Sequence, residues 1–321
     1  MAGLTLPKPR ASARLLTTIR LEPIITLAVM TAALTYLSPF FLSVSNIFNV
    51  LVSTAVVAVL AVGMTFVIAS GGIDLSVGSI MAMTGVVGAI GASHGLPGLV
   101  SIAIMLVAGT LAGGFNGLLV SRLGIPAFIV TLATLSTCRG LALLFADGKP
   151  IYGLDETFAF IGQARIGGVP VPVVVMVVLV GLGHLILHHT RFGLRTLALG
   201  DNEMSVRVTG CNVAGQKLAV YALSGAGAAL AGVLFDGRIN AGDPTAGVMY
   251  ELSAISAVVI GGTSLAGGRG TVVGSLLGAL IIGVLQNGLN LLAVPAFYQY
   301  VAIGAILIFA VVGGALWPSR G

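Results

Sequence analysis

The sequence has very few charged residues. Only 8% of its 321 residues are Asp, Glu, Lys or Arg and 57% are hydrophobic, whereas a soluble domain has about 25% charged residues. The mean hydropathy is +1.10, and the apolar runs are continuous, as required for helices of about 20 apolar residues that cross a bilayer. The sequence therefore predicts an all-α polytopic membrane protein. No soluble domain remains that could bind nucleic acid.

Cysteines and catalytic patterns are scarce as well. The two cysteines, Cys138 and Cys211, cannot build a disulfide framework. His184 and His188 make a weak metal pair, because no carboxylate or thiol is near them in the sequence. The segment "GTSLAGGRGT" (262–271) lacks the Lys-Ser/Thr pair of a phosphate-binding loop. We therefore expect no enzymatic activity and no cofactor bound by this chain.

The apolar runs and the basic residues together predict the topology. About ten transmembrane helices are expected, at roughly 23–42, 48–70, 75–93, 98–121, 125–146, 169–189, 217–236, 251–266, 271–293 and 296–316. Basic residues concentrate before the first span and in the loop 190–216, which places this side in the cytoplasm. The chain then consists of a basic cytoplasmic N-terminus (1–22), a transmembrane domain (23–317) and a short cytoplasmic C-terminus (318–321).

Asp74 is a lone acid within a long uncharged stretch. It lies in "GGIDLSVG" (71–78), which resembles "GGTSLAGG" (261–268) farther along the chain. Glycine pairs end helices, because glycine takes the left-handed conformation without strain. The sequence thus predicts broken helices at Gly71-Gly72 and Gly261-Gly262. Broken helices often line the pathway of a transporter.

Asp74 and Ser264 occupy matching places in these two segments, and both residue types cap helix N-termini. We interpret Asp74 as the N-cap of the following helix. Direct contact with a solute or a partner, and proton coupling, are the alternatives. Ser76 and Gly262 belong to the same breaks and are further candidate pathway residues.

Three asparagines lie within predicted spans: Asn116, Asn287 and Asn290. Side-chain amides suit a neutral polyhydroxylated solute, whereas charged groups would suit an ion. The alternative is that these amides form hydrogen bonds between helices.

The inner loop contains a segment of mixed charge, "ALGDNEMSVRVTGCNV" (198–213). Glu203 and Arg207 have the i, i+4 order that stabilises a helix. A short helix in this position would either rest on the lipid headgroups or dock into a partner.

Four long segments resemble one family, the permease subunits of bacterial ABC importers for ribose and related monosaccharides. They are "NIFNVLVSTAVVAVLAVGMTFVIASGGIDLSVGS", "GGFNGLLVSRLGIPAFIVTLATLSTCRGLAL", "GDNEMSVRVTGCNV" and "YELSAISAVVIGGTSLAGGRGTVVGSLLGALIIGVLQNGLNLL". The resemblance covers nearly all of the chain after about residue 45. The residues that match the ATPase-coupling segment of the family are Gly200, Asn202, Glu203, Arg207, Gly210, Asn212 and Val213.

The resemblance implies the membrane-spanning subunit of an ATP-driven importer that translocates a monosaccharide. Ribose is the first candidate, and xylose, arabinose, galactose or a signalling furanose are alternatives. The implied partners are a second permease (a copy or a paralogue), an ATP-binding subunit that holds ATP and Mg²⁺, and an extracytoplasmic sugar-binding protein. The acids expected to receive the binding protein are Asp155, Glu156 and Asp243. The implied location is the bacterial inner membrane, with both termini in the cytoplasm.

The alternative function is a secondary transporter of a small neutral solute, driven by protons or sodium. Such carriers hold ionisable residues in the middle of the membrane. Because Asp74 stands nearly alone in the predicted spans, the sequence favours the importer subunit.

Overall fold

The computed structural model describes residues 21–295, 297–299, 301–305 and 308. All but the last two residues of the predicted N-terminal segment (1–22) lie outside this set, as does the whole predicted C-terminal segment (318–321). Most of the tenth predicted span (296–316) is also outside it. Residues 297–299 and 301–305 of that span are helical.

The described residues form helices connected by short loops. The helices are α1 (Leu21–Leu37), α2 (Val44–Ala69), α3 (Val77–Ser93), α4 (Gly98–Arg122), α5 (Ala127–Phe145), α6 (Glu156–Gln163), α7 (Val171–His189), α8 (Arg191–Asp201), α9 (Glu203–Val208), α10 (Val213–Ile239), α11 (Tyr250–Ile260) and α12 (Val272–Leu291). Four two-residue strands are β1 (Ile151–Tyr152), β2 (Arg165–Ile166), β3 (Val169–Pro170) and β4 (Ala241–Gly242).

Six of the described helices are long and apolar enough to cross a membrane: α2, α4, α5, α7, α10 and α12. Three shorter apolar helices, α1, α3 and α11, accompany them. The fold is thus that of an all-α, multi-pass membrane protein. We call the end of the helices that carries the 190–216 loop the loop end, and the opposite end the Asp155 end.

Helix α2 is the centre of the bundle. It packs against α7, α8, α10, α11 and α12, and 78% of its most apolar window is buried. A helix that is apolar on all sides is expected in such a position. By contrast, only 33% and 28% of the corresponding windows of α4 and α5 are buried. Their outer faces carry large apolar side chains such as Leu111, Phe115 and Leu132, which suits a lipid environment.

Glycines bring α4 and α10 into the most extensive helix contact of the described residues. Gly109, Gly113 and Gly117 repeat every fourth residue along one face of α4, the spacing that lets helix backbones approach closely in membranes. A Cβ added at Gly113 would overlap with Tyr221 O on α10, and one at Gly117 would lie 2.6 Å from Leu218 Cα. The absence of side chains on this face therefore sets the distance between the two helices.

The eighth predicted span is only half a helix. Helix α11 has 11 residues, which corresponds to about 16 Å, whereas the hydrocarbon core is about 30 Å thick. The preceding residues, 241–249, run in extended and turn conformations along α3. Gly242 packs against Ala89, and Gly247 packs against Gly78 near the beginning of α3. The predicted spans leave 237–250 as a loop, whereas in the structure residues 237–239 belong to α10 and residues 241–249 pack along α3.

Two contacts satisfy the backbone of this extended segment. Strand β4 pairs antiparallel with β1, so that Gly242 lies opposite Ile151. The Arg139 side chain of α5 donates to Pro244 O at 2.6 Å and to Ala246 O at 2.8 Å. Irregular backbone survives at membrane depth only where protein groups replace the missing helical hydrogen bonds, and Arg139 does so here.

The α4–α10 contact yields a test of the fold with a neighbouring control. Gly113→Ala should destabilise the protein by about 1–3 kcal/mol, because the added methyl group meets backbone that cannot rotate away. Gly114→Ala should be neutral or stabilising, because its Cβ would lie 3.9 Å from Ala222 Cβ and alanine favours helix. Thermal unfolding of both variants in detergent measures the difference. Equal midpoints for the two variants would contradict the proposed close approach.

Candidate functional site

The chain between α2 and α3 turns back into the bundle. Gly71 has a φ of +81°, and the seven residues 70–76 separate the two helices. Asp74 Oδ2 accepts a hydrogen bond from Ser224 Oγ of α10 at 2.8 Å. Ser224 lies seven residues beyond Lys217 on α10, about 10 Å along the helix axis. Asp74 therefore lies within the depth of the bundle rather than at its surface.

The Asp74 carboxylate is completely buried and accepts hydrogen bonds at both oxygens. Asp74 Oδ1 accepts from Ser76 N at 3.0 Å and from Ser76 Oγ at 2.5 Å, and Oδ2 accepts from Ser224. Burying an acid is costly unless its acceptors are paired. These three donors are the local reason why the acid is tolerated.

The interpretation of Asp74 and Ser264 as equivalent N-caps is wrong. The N-cap of α3 is Ser76, two residues after Asp74. The Asp74 carboxylate therefore accepts its backbone hydrogen bond from the N-cap residue itself, in the turn before the helix, and not from the first turn of α3. The N-cap of α12 is Thr271, whose Oγ1 accepts from Gly274 N. Ser264 instead lies in a turn in which its N–H donates to Arg269 O. The loops differ in length, seven residues against the eleven of 261–271, so matching positions after the glycine pair are not structurally equivalent.

The hydrogen-bond network extends from Asp74 to two more helices. Asn116 Nδ2 on α4 donates to Ser76 Oγ at 2.9 Å, and Thr134 Oγ1 on α5 donates to Asn116 Oδ1 at 2.6 Å. The break, α4, α5 and α10 are thus joined by buried polar groups, which we call the Asp74 network. Asp74, Ser76 and Asn116 were selected from the sequence. Ser224 was missed, because a single serine in a Gly- and Ala-rich helix gives no signal.

Tyr221 covers the glycine pair of the break. A Cβ added at Gly72 would lie 2.5 Å from Tyr221 Oη, and the Tyr221 hydroxyl donates to Ile73 O at 3.4 Å. Gly72 is therefore required for close packing, in contrast to Gly71, which is required for its positive φ. In the second break, Gly262 has a φ of +91°.

The 190–216 loop is a compact structure of two short helices, α8 and α9, followed by the beginning of α10. Asn202 caps α9 by accepting from Ser205 N at 2.9 Å, and Asn212 caps α10 by accepting from Gly215 N at 2.9 Å. Gly210 has a φ of +79°. These three family-matching residues shape the loop by capping and turning it.

Glu203 connects the loop to the membrane helix α10. It forms ion pairs with Lys217 Nζ at 2.7 Å and with Arg207 Nη2 at 2.8 Å. The hydrogen bond from Lys217 holds the pKa of the Glu203 carboxyl below its usual value, so this carboxyl is ionised at neutral pH. Beside it, Met204 and Val208 are exposed by 68% and 79%. They lie four residues apart, on one face of α9.

The acids Asp155, Glu156 and Asp243 differ in their surroundings. Asp155 caps α6 by accepting from Thr157 N at 3.1 Å, and it also accepts from Gly98 N at the beginning of α4 at 2.7 Å. Asp243 lies on the extended segment beside α3 and accepts from Thr245 N and Oγ1 at 2.8 Å. Glu156 is exposed.

The two asparagines of α12 bind other side chains. Asn287 and Asn46 exchange two amide hydrogen bonds of 2.9 and 2.8 Å, which tie α12 to α2. Asn290 Oδ1 accepts from Gln299 Nε2 at 2.7 Å. The structure thus does not bring Asn287 and Asn290 into the Asp74 network.

Three charged residues within the bundle were not weighed from the sequence. Arg139 is half-buried on α5, and Glu251 is half-buried in the first turn of α11. Asp236 of α10 is 2% exposed, and its Oδ2 has no hydrogen-bond partner among the described residues. The sequence interpretation that Asp74 stands nearly alone among the predicted spans is therefore wrong. The missed signal was that these charges lie inside apolar helices, where ionisable residues are rare.

Metal ligation has no support in the described part of the chain. No group of three or more His, Cys, Asp or Glu residues there is arranged to hold a metal ion. The rings of His184 and His188 lie 4.9 Å apart, and those of His184 and His189 lie 5.7 Å apart.

Comparison with known proteins identifies the family. Residues 46–311 match the family described as "Branched-chain amino acid transport system / permease component". The chain belongs to this permease family. This permease is 45% identical to the ribose import permease protein RbsC of Haemophilus influenzae, over 89% of the chain and 90% of that protein. It is 44% identical to RbsC of Escherichia coli K12, over 90% of the chain and 92% of that protein.

A third relative carries another sugar in its name. The permease is 37% identical to the xylose transport system permease protein XylH of Escherichia coli K12, over 84% of the chain and 85% of that protein. No solved structure matches the chain. The resemblance to sugar importer permeases expected from the four sequence segments is thus confirmed at the level of the family.

The Asp74 network predicts a contrast between two substitutions in the permease. Asp74→Asn keeps an acceptor for Ser76, and its amide can donate to Ser224 Oγ, so stability should stay within about 1 kcal/mol of the parent. Asp74→Leu leaves three buried donors unpaired, each costing about 1–3 kcal/mol, and should strongly reduce yield and thermal midpoint. Size-exclusion profiles after heating measure both. If Asn is as damaging as Leu, the negative charge itself is required.

Proposed function

We propose that this permease is the membrane-spanning subunit of an ATP-driven importer that translocates a monosaccharide delivered by an external binding protein. The observation that carries the proposal is the 44–45% identity to two ribose permeases over about nine tenths of the chain. Ribose is the first candidate substrate, and xylose is the second because of the relative named for it. The description of the family adds branched-chain amino acids as a substrate class to be tested.

The transporter consists, in this proposal, of a second permease, an ATP-binding subunit and the binding protein. ATP and Mg²⁺ bind to the ATP-binding subunit, and the permease itself binds no cofactor and catalyses no reaction. It lies in the inner membrane with both termini in the cytoplasm, so that the loop end faces the ATP-binding subunit and the Asp155 end faces the binding protein. Asp155, Glu156 and Asp243 are the acids proposed for that outer contact.

The loop geometry supports different roles for the residues of the proposed coupling segment, 198–213. Asn202, Gly210 and Asn212 shape the loop through caps and a turn, and the ion pairs of Glu203 with Arg207 and Lys217 fasten it to α10. Met204 and Val208 present an exposed apolar face. We assign the direct contact with the ATP-binding subunit to this face.

Uptake by reconstituted vesicles tests the proposed function. The tagged permease is purified from its own bacterium with its associated subunits and reconstituted with the co-encoded binding protein. Uptake of labelled ribose, xylose, arabinose, galactose and leucine is then compared with ATP inside the vesicles and with a proton or sodium gradient in its place. ATP-dependent ribose uptake is expected. Uptake driven by an ion gradient without ATP would support the alternative, a secondary transporter, for which the buried Asp236 is the structural argument.

The assigned docking face yields a matched pair of variants. Met204→Glu should lower the amount of ATP-binding subunit that copurifies with the permease at least about tenfold, because a charge replaces an apolar contact at an interface. Ser205→Glu adds the same charge to the next residue of α9, which is also exposed, and should copurify normally. Quantitative mass spectrometry of the purified complex measures both. Normal copurification of Met204→Glu would contradict the assignment.

A further inference from the structure

Three segments of the chain meet at the loop end through backbone contacts. A Cβ added at Gly200 of α8 would overlap with Ala69 O, at the end of α2, and would lie 2.5 Å from Gly268 N. The Gly268 N–H donates to Ala69 O at 3.0 Å. A Cβ added at Gly267 would lie 2.7 Å from Gly200 O and 3.0 Å from Gly71 Cα.

These contacts form one structural unit, which we call the glycine junction: Gly71, Gly200, Gly267 and Gly268, with Ala69. It joins the inner loop to both helix breaks, the one that carries Asp74 and the one between α11 and α12. Backbone atoms at contact distance cannot absorb a displacement by changing rotamer, as flexible side chains can. Close-packed interiors accordingly transmit displacements.

Gly200 lies between the exposed helix α9 and the first helix break. Only Asn202 separates α8, which holds Gly200, from α9, which carries the exposed Met204 and Val208. On the other side of the junction, Gly71 lies three residues before Asp74. A displacement of α9 therefore reaches the first break through a single backbone contact.

We propose that the glycine junction passes movement of the inner loop to the two helix breaks, and that Gly200 is the positioning residue of this contact. Gly200 was grouped by its sequence with the residues that bind the ATP-binding subunit. The geometry assigns it to the side of α8 that packs against the end of α2 and the break between α11 and α12. The inference rests on the proposed function, because it requires a partner that moves the loop.

The test distinguishes loss of binding to the ATP-binding subunit from loss of movement passed to the helix breaks. Gly200→Ala introduces a methyl group into the junction, and Gly181→Ala is its control, because apart from the adjoining backbone of its own helix no described atom lies within 4 Å of a Cβ at Gly181. Both variants are purified as the assembled transporter. Membrane abundance, copurifying ATP-binding subunit, ATP hydrolysis and uptake of labelled ribose are measured. Gly200→Ala should lose uptake at least tenfold while abundance, copurification and hydrolysis stay within twofold of Gly181→Ala.

Two outcomes of this experiment would overturn the inference. Normal ribose uptake by Gly200→Ala would show that the junction transmits nothing. Loss of the ATP-binding subunit from Gly200→Ala would place Gly200 in the docking face. If the unsubstituted transporter takes up no ribose in the presence of ATP, the proposed function fails instead, and the two failures are distinguishable.

Hydrogen exchange of the unsubstituted transporter decides the matter if Gly200→Ala fails to fold. The Gly268 N–H donates to Ala69 O, so its exchange rate reports whether the junction stays closed. If the junction moves as one body, the Gly268 amide keeps its protection when ATP binds. Exchange that becomes tenfold faster in the presence of ATP would show that the segments separate, against the proposal.

Discussion

The hydrocarbon core of a membrane offers no water to an unpaired polar group, and this constraint explains two irregular features within the bundle, the break at Asp74 and the extended segment beside α3. Asp74 is buried only because Ser76 and Ser224 donate to both of its oxygens. The extended segment beside α3 survives because Arg139 and β1 pair with its backbone. In each case at least one partner that is distant in sequence, Ser224 for Asp74 and Arg139 for the extended segment, pairs with groups that would otherwise lack a hydrogen bond.

Helix α10 connects these features along its length. Near its beginning, Gln216 donates to Phe192 O and to Thr196 Oγ1 of α8. Ser224 binds Asp74 farther along, and the glycines of α4 allow the two helices to pack backbone against backbone. A single helix thus contacts the 190–216 loop near its beginning and the first break farther along. The glycine junction adds a second, shorter connection between the same two parts.

The sequence predicted the class of the fold and the family, because low charge, continuous apolar runs and four long segments are properties of the chain itself. It also located the first break, since Gly71 needs a positive φ. It did not predict that residues 241–249 pack along α3, because Asp243, Pro244 and Thr245 are residue types that are typical of an exposed loop. It misjudged the partners of Asp74, because Ser224 is 150 residues away and only tertiary packing brings it close.

The most direct test of the account is the structure of the assembled transporter determined by electron cryomicroscopy with and without bound ATP. The account predicts that residues 198–201 shift between the two states and that residues 70–76 and 261–271 shift with them. The hydrogen bond from Gly268 N to Ala69 O should persist in both structures. A loop that moves while the two breaks keep their positions, or a junction that comes apart in one state, would contradict the account.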